Sequence, residues 1–114
     1  KGATLLFIIT NDGWWGNTPG YKQHMRYATL RAIENRRSIA RSANTGISAF
    51  INQRGDIIKP TKWWVSTAIR HEIYENTEMT YYAENGDYLG RVATFLTVLI
   101  ILLMITARLT KKST

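Results

Sequence analysis

The sequence predicts an α/β domain followed by one C-terminal transmembrane helix. Three observations predict it. Leu5-Leu6-Phe7-Ile8-Ile9 is a run of five apolar residues that breaks into Asn11-Asp12-Gly13, the pattern of a buried strand ending in a turn. Tyr21, Met25, Ala28 and Ala32 then fall at i, i+4, i+7 and i+11, one stripe of a helix. Residues 92–107 are sixteen positions without a charge, set between arginines.

Taken in order, the first strand is expected over residues 1–10, buried on both faces. Its C-terminal end spills into a loop carrying Trp14 and Trp15 between Gly13 and Gly16, closed by Pro19-Gly20. Strand ends of this kind are where α/β folds place their sites. The plainer reading is that the two tryptophans cap the core beneath them. The helix is expected over residues 21–37, and the two alanines of its stripe imply close approach to a sheet. Lys22, Arg26, Arg36 and Arg37 gather on an adjacent face, read as solvated surface or, on a bilayer, as contacts to lipid phosphate. Glu34 is either an i,i+3 partner of Arg31 or a buried carboxylate.

Residues 38–42 read as extended, Asn44-Thr45-Gly46 as a turn, and residues 46–52 as a strand with Ile47, Ala49 and Ile51 on one face. Gln53-Arg54-Gly55-Asp56 is a hairpin turn and needs no adhesive role. Residues 57–59 return, and Pro60 ends them. Residues 65–73 alternate as a further strand. His24 and His71 each stand alone, without a second ligand at metal spacing. Residues 80–87 read as a polar aromatic loop.

The uncharged run would be about 24 Å long as a helix, against a bilayer core of roughly 30 Å. Leu89 and Leu109 extend it, and Arg91 and Arg108 are placed to snorkel to the interfaces. The formal net charge of +7 divides as +3 over residues 1–90 and +4 on Arg91, Arg108, Lys111 and Lys112. Charge bracketing an apolar run belongs to a membrane protein and argues against nucleic acid. It also sets the orientation, with residues 110–114 cytoplasmic and residues 1–90 on the far side, the periplasm of a diderm bacterium. The chain holds no cysteine, so it contains neither a disulfide nor a thiol nucleophile. No initiator methionine is present, and the expectation is a C-terminal piece of a longer protein.

Several stretches resemble a known family. Asn11-Asp12-Gly13-Trp14-Trp15-Gly16, then Leu30-Arg31-Ala32-Ile33-Glu34-Asn35, then Arg41-Ser42-Ala43-Asn44-Thr45-Gly46-Ile47-Ser48 resemble the C-terminal part of the carbon–nitrogen hydrolase (nitrilase) superfamily. Tyr82-Ala83-Glu84-Asn85-Gly86-Asp87 before a last apolar helix resembles, within it, the apolipoprotein N-acyltransferase family, in wording most like that of Bacteroidetes-type bacteria. The resemblance implies part of an αββα sandwich over residues 1–90, a transmembrane helix over 91–109 and a tail over 110–114. It implies a multi-pass protein of the bacterial inner membrane. The implied reaction moves a fatty acyl chain from a phospholipid, through a cysteine thioester, to the N-terminal amine of a diacylated lipoprotein. No cofactor or metal is implied. The family's Glu–Lys–Cys triad has no counterpart in these residues and is expected upstream. Asn11, Asp12, Trp14 and Trp15, and more weakly Thr45 and Gly46, are then expected as the wall beside the thiol. Two other readings are a membrane-anchored amidase of the same superfamily, marked by release of ammonia from amides, and a non-catalytic membrane-tethered binding module.

Overall fold

The computed structural model describes residues 2–112. Lys1, where the sequence places the start of the first strand, and residues 113–114 of the expected tail lie outside the described residues. Four strands form one mixed sheet: β1 (Leu5–Thr10), β2 (Ser38–Ala43), β3 (Ala49–Ile51) and β4 (Ile57–Ile58), in that spatial order. A 17-residue helix, α1 (Pro19–Asn35), links β1 to β2, which run parallel with Leu5 opposite Ser38 and Thr10 opposite Ala43. Both strands therefore end at the same level, and the loops that follow them start side by side. β3 and β4 add as antiparallel strands, with Arg41 opposite Ala49 and Phe50 opposite Ile58.

α1 starts where its sequence permits. Thr18 caps it by accepting the Gly20 N–H at 3.3 Å, and Pro19, which lacks a donor, stands in the first turn. It ends at Arg36, whose φ of 47° is left-handed and whose N–H turns back to the Ile33 carbonyl at 3.3 Å. Each boundary lies two residues earlier than the sequence expectation. The predicted stripe is the buried face: Met25, Ala28 and Ala32 pack on Ile39, Ala49 and Ile51 of the sheet, and Tyr21 is buried too. Met25 is the largest of the fully buried side chains. Met25→Ala should cost about 2–5 kcal/mol, read as a lowered midpoint of thermal unfolding.

Other expectations are corrected. β1 is not buried on both faces: Phe7 and Ile9 are 71% and 90% exposed, because α1 covers only the opposite face. The expected strand over 46–52 shrinks to Ala49–Ile51. Residues 65–73 form no strand. They alternate, but a strand needs a neighbouring backbone to bond, and here the segment is tied only at points such as Lys59 Nζ to the Arg70 carbonyl at 2.7 Å. Arg37 does not belong to a solvated basic face. It lies beyond the helix, buried, and donates to the carbonyls of Ala3 (2.6 Å), Asn35 (3.0 Å) and Glu78 (2.7 Å). Glu34 takes the first of its two readings, pairing with Arg31 at 2.6 Å. The loop expected over 80–87 contains a short helix, α2 (Tyr81–Asn85).

Residues up to Ala83 form one compact unit, and Glu84 onward a second. The second unit is dominated by α3 (Tyr88–Lys112), which encloses the uncharged run. Over Tyr88–Lys111 it is long and apolar enough to cross a membrane. Apart from half-buried Gly90, the residues of that stretch are exposed on every face.

Candidate functional site

The parallel pair β1–β2 fixes the place of the site. Open α/β sheets bind ligands beyond the C-terminal ends of parallel strands. Two loops meet there, residues 11–16 after β1 and residues 44–46 after β2. The Asn44 N–H donates to the Thr10 carbonyl at 3.2 Å and joins them.

Asp12 holds the first loop down. It is fully buried, and both its carboxylate oxygens accept from Arg41 Nη2, at 3.1 and 3.0 Å. His24 Nδ1 lies 2.8 Å from Asp12 Oδ1. The same ring nitrogen stands 3.4 Å from Arg41 Nη2, so His24 closes a three-way contact with the pair. Arg41 is itself fully enclosed on β2, and its Nη1 donates to the Ile47 carbonyl. Its Nε has no partner among the described residues. One carboxylate thus ties β1, α1 and β2 together where they converge. Buried charges persist only when so paired.

On that mount sits a rigid aromatic turn. Asn11 Oδ1 accepts the Gly13 N–H at 3.0 Å, and the Asp12 carbonyl accepts the Trp15 N–H at 3.2 Å, which closes a 3-10 turn over Gly13–Trp15. Thr18 Oγ1 donates to the Trp15 carbonyl at 2.7 Å. Trp14 is 86% exposed and Trp15 48%. Trp14 therefore does not cap the core, which corrects the plainer reading. Trp15 lies against Gly20 and beside His24, with ring centroids 6.3 Å apart.

The sequence-predicted residues separate by depth. Asn11, Trp14 and Trp15 are exposed, Thr45 is half-buried, and Asp12 and Gly46 are buried behind them. Gly46 abuts the Asp12 carboxylate so closely that a Cβ there would fall 1.9 Å from Oδ2. His24, taken from sequence as solitary, is a partner of Asp12. Arg41 was missed as well. Its signal lay in the period of β2, since Arg41 shares a face with buried Ile39, and a cation at an inward strand position demands a carboxylate. Among the described residues no group of three or more His, Asp and Glu side chains could hold a metal ion.

A mixed sheet with a helix crossover, and a candidate site at its parallel strand ends, is an α/β domain. The comparisons make this specific: the Carbon-nitrogen hydrolase family matches residues 1–82, and the chain belongs to that family. Curated relatives carry a narrower name. The chain is 37% identical over 92 residues to the apolipoprotein N-acyltransferase of Chlorobaculum tepidum, covering 81% of this chain and 17% of that protein. It is 30% identical over 115 residues to apolipoprotein N-acyltransferase 1 of Treponema denticola, covering 99% of this chain and 21% of that protein. It is 50% identical over 58 residues to the apolipoprotein N-acyltransferase of Agrobacterium fabrum, covering 51% of this chain and 11% of that protein. The chain thus spans about a fifth or less of the length of these relatives.

Proposed function

We propose that these residues build one wall of the acyl-transfer site of an apolipoprotein N-acyltransferase and anchor it in the bacterial inner membrane. The observation that carries this reading is the Trp14–Trp15 turn, held out at the strand ends on the buried Asp12–Arg41 pair. A large apolar surface on a rigid mount suits a substrate with an acyl chain. The names of the relatives supply the reaction class.

In that reaction a cysteine thiolate attacks the ester carbonyl of a phospholipid, releasing a lysophospholipid and leaving a thioester. The α-amine of a diacylated lipoprotein then attacks the thioester, forms the amide and releases the thiol. The thiol and its Glu and Lys partners belong to sequence outside these residues, which hold no cysteine. Alone, residues 1–114 are inactive. Asn11, Trp14, Trp15 and Thr45 line the wall, and Asp12 and Gly46 support it from behind. The exposed face of β1 bearing Phe7 and Ile9 is covered by the second sheet of an αββα sandwich. α3 crosses the membrane, the cations of the tail stay cytoplasmic, and residues 1–90 are periplasmic.

The test uses the full-length protein in vesicles of phosphatidylethanolamine and phosphatidylglycerol, with a diacylated lipopeptide as acceptor and mass spectrometry of the product. The wild type should N-acylate the peptide. Trp14→Ala should lower kcat/KM at least about tenfold, the equivalent of losing part of one buried aromatic contact. Its unfolding midpoint should stay within about 2 °C, since an exposed side chain adds little to the fold. Release of ammonia from simple amides, with no N-acylated peptide, would reject the acyltransferase reading in favour of an amidase.

A further inference from the structure

A second tryptophan pair meets the same end of the fold. Trp63 and Trp64 lie outside the stretches that carry the resemblance, and no sheet hydrogen bond holds them. They are nevertheless firmly seated. The Thr61 N–H donates to the Ser48 carbonyl at 2.9 Å, and Thr61 Oγ1 accepts the Ser48 N–H at 2.9 Å. The Trp64 N–H donates to the carbonyl of Thr45, in the site loop after β2, at 2.9 Å. Trp63 stacks on Tyr21 of α1 with centroids 4.3 Å apart, and its ring is 5.8 Å from that of Trp64.

Two features of Trp64 have no structural explanation. It is 68% exposed, and its φ is 58°, in the left-handed region. A bulky side chain there is strained, and glycine would be preferred for the fold alone. A strained backbone that presents an indole to solvent serves something outside the chain.

The surroundings indicate what it meets. Thr45 Oγ1 lies 3.5 Å from where a Cβ on Gly13 would be, so Trp64 and the Trp14–Trp15 turn flank one loop. All four tryptophans of the chain therefore gather at this end. Lys62 directly precedes the Trp63–Trp64 pair, and Lys22 follows Tyr21, the residue on which Trp63 stacks. Lys22 Nζ stands 5.8 Å above the Tyr21 ring. Indole rings fringed by cations match the headgroup level of an anionic bilayer. The same chain carries a helix long and apolar enough to span one.

We propose that the Trp63–Trp64 platform seats on the phospholipid surface, with Trp64 at headgroup depth beside the acyl-transfer site. The inference deepens the acyltransferase reading and rests on it for the position of the site. Membrane docking itself does not require that reading.

The test places photoreactive benzoyl-phenylalanine at position 64 of the full-length protein. The protein is reconstituted in phosphatidylethanolamine/phosphatidylglycerol vesicles with the lipopeptide acceptor, irradiated and analysed by mass spectrometry. The control position is Tyr74, which is equally exposed but whose carbonyl is held by Ser38 at the opposite end of β2. Phospholipid adducts at 64, and at least about tenfold fewer at 74, are expected. Adducts at 64 with the lipopeptide alone would make the platform an acceptor site and overturn the proposal. So would the absence of any adduct at 64. Wild-type N-acylation is assayed in the same vesicles. Failure there with lipid adducts at 64 would reject the acyltransferase reading and leave the docking surface standing. Trp64→Gly supplies the second readout. It should leave the unfolding midpoint unchanged or raised, because glycine relieves the left-handed backbone, while the KM for vesicle phospholipid rises about tenfold. A lowered midpoint with unchanged KM would mean that Trp64 is a packing residue.

Discussion

Asp12→Ala is expected to be among the most damaging single changes in the folded unit. Among the described residues the carboxylate is the only acid that Arg41 touches, and both side chains are fully enclosed. Removing it leaves a guanidinium buried without a counter-charge, with Nη1 still on the Ile47 carbonyl and Nε still without a partner. Breaking a buried pair in this way costs about 3–5 kcal/mol, far more than a surface pair is worth. His24 also loses the acceptor that orients its ring. The expected results are a large fall in the unfolding midpoint and, in the full-length protein under the proposed acyltransferase function, loss of N-acyl transfer, since the Trp14–Trp15 turn springs from this residue. Charge is the stated cause, and this is checkable. Asp12→Ala combined with Arg41→Met removes both charges and should recover a substantial part of the stability. If the double variant is as unstable as the sum of the single ones, the pair is not what holds the turn.

That cluster also marks the limit of what the sequence makes legible. The stripe of Tyr21, Met25, Ala28 and Ala32 was readable because a helix writes its buried face into neighbouring positions. The β1 run and the Asn11-Asp12-Gly13 break were readable for a similar reason. Asp12, His24 and Arg41 come from three elements, 12 and 29 positions apart, and no local period joins them. Only their convergence at the ends of two parallel strands does. Residues 65–73 show the opposite failure. Their alternation is real, but alternation reports which faces differ, and pairing depends on a neighbour that sequence period does not encode. Phe7 and Ile9 show a third case. An apolar run on both faces of a strand states a demand for cover, and the residues present satisfy it on the α1 side only.

Gly46→Ala tests the same junction from the other strand end, through sterics rather than charge. A Cβ at position 46 would stand 1.9 Å from Asp12 Oδ2 and 2.5 Å from both Asp12 Cβ and Cγ. A long flexible side chain could swing aside at small cost, but Asp12 is held by Arg41 on both oxygens and by His24 on one. Relief requires either breaking that clamp or moving the loop after β2, which also carries Thr45 and the backbone contact to Trp64. A loss of about 3 kcal/mol or more is expected, comparable with overpacking a rigid core. Gly16 offers a contrast. Its φ is 56° and its ψ −165°, a region essentially reserved for glycine, with nothing within 4 Å of a would-be Cβ, so Gly16→Ala meets backbone strain alone, about 1–3 kcal/mol. Measured midpoints should therefore rank Gly46→Ala below Gly16→Ala. The cause can be isolated in an Asp12→Gly background, where the obstructing side chain is gone. There the alanine at position 46 should add little further loss. An undiminished penalty in that background would show that the glycine is required by something other than the Asp12 carboxylate.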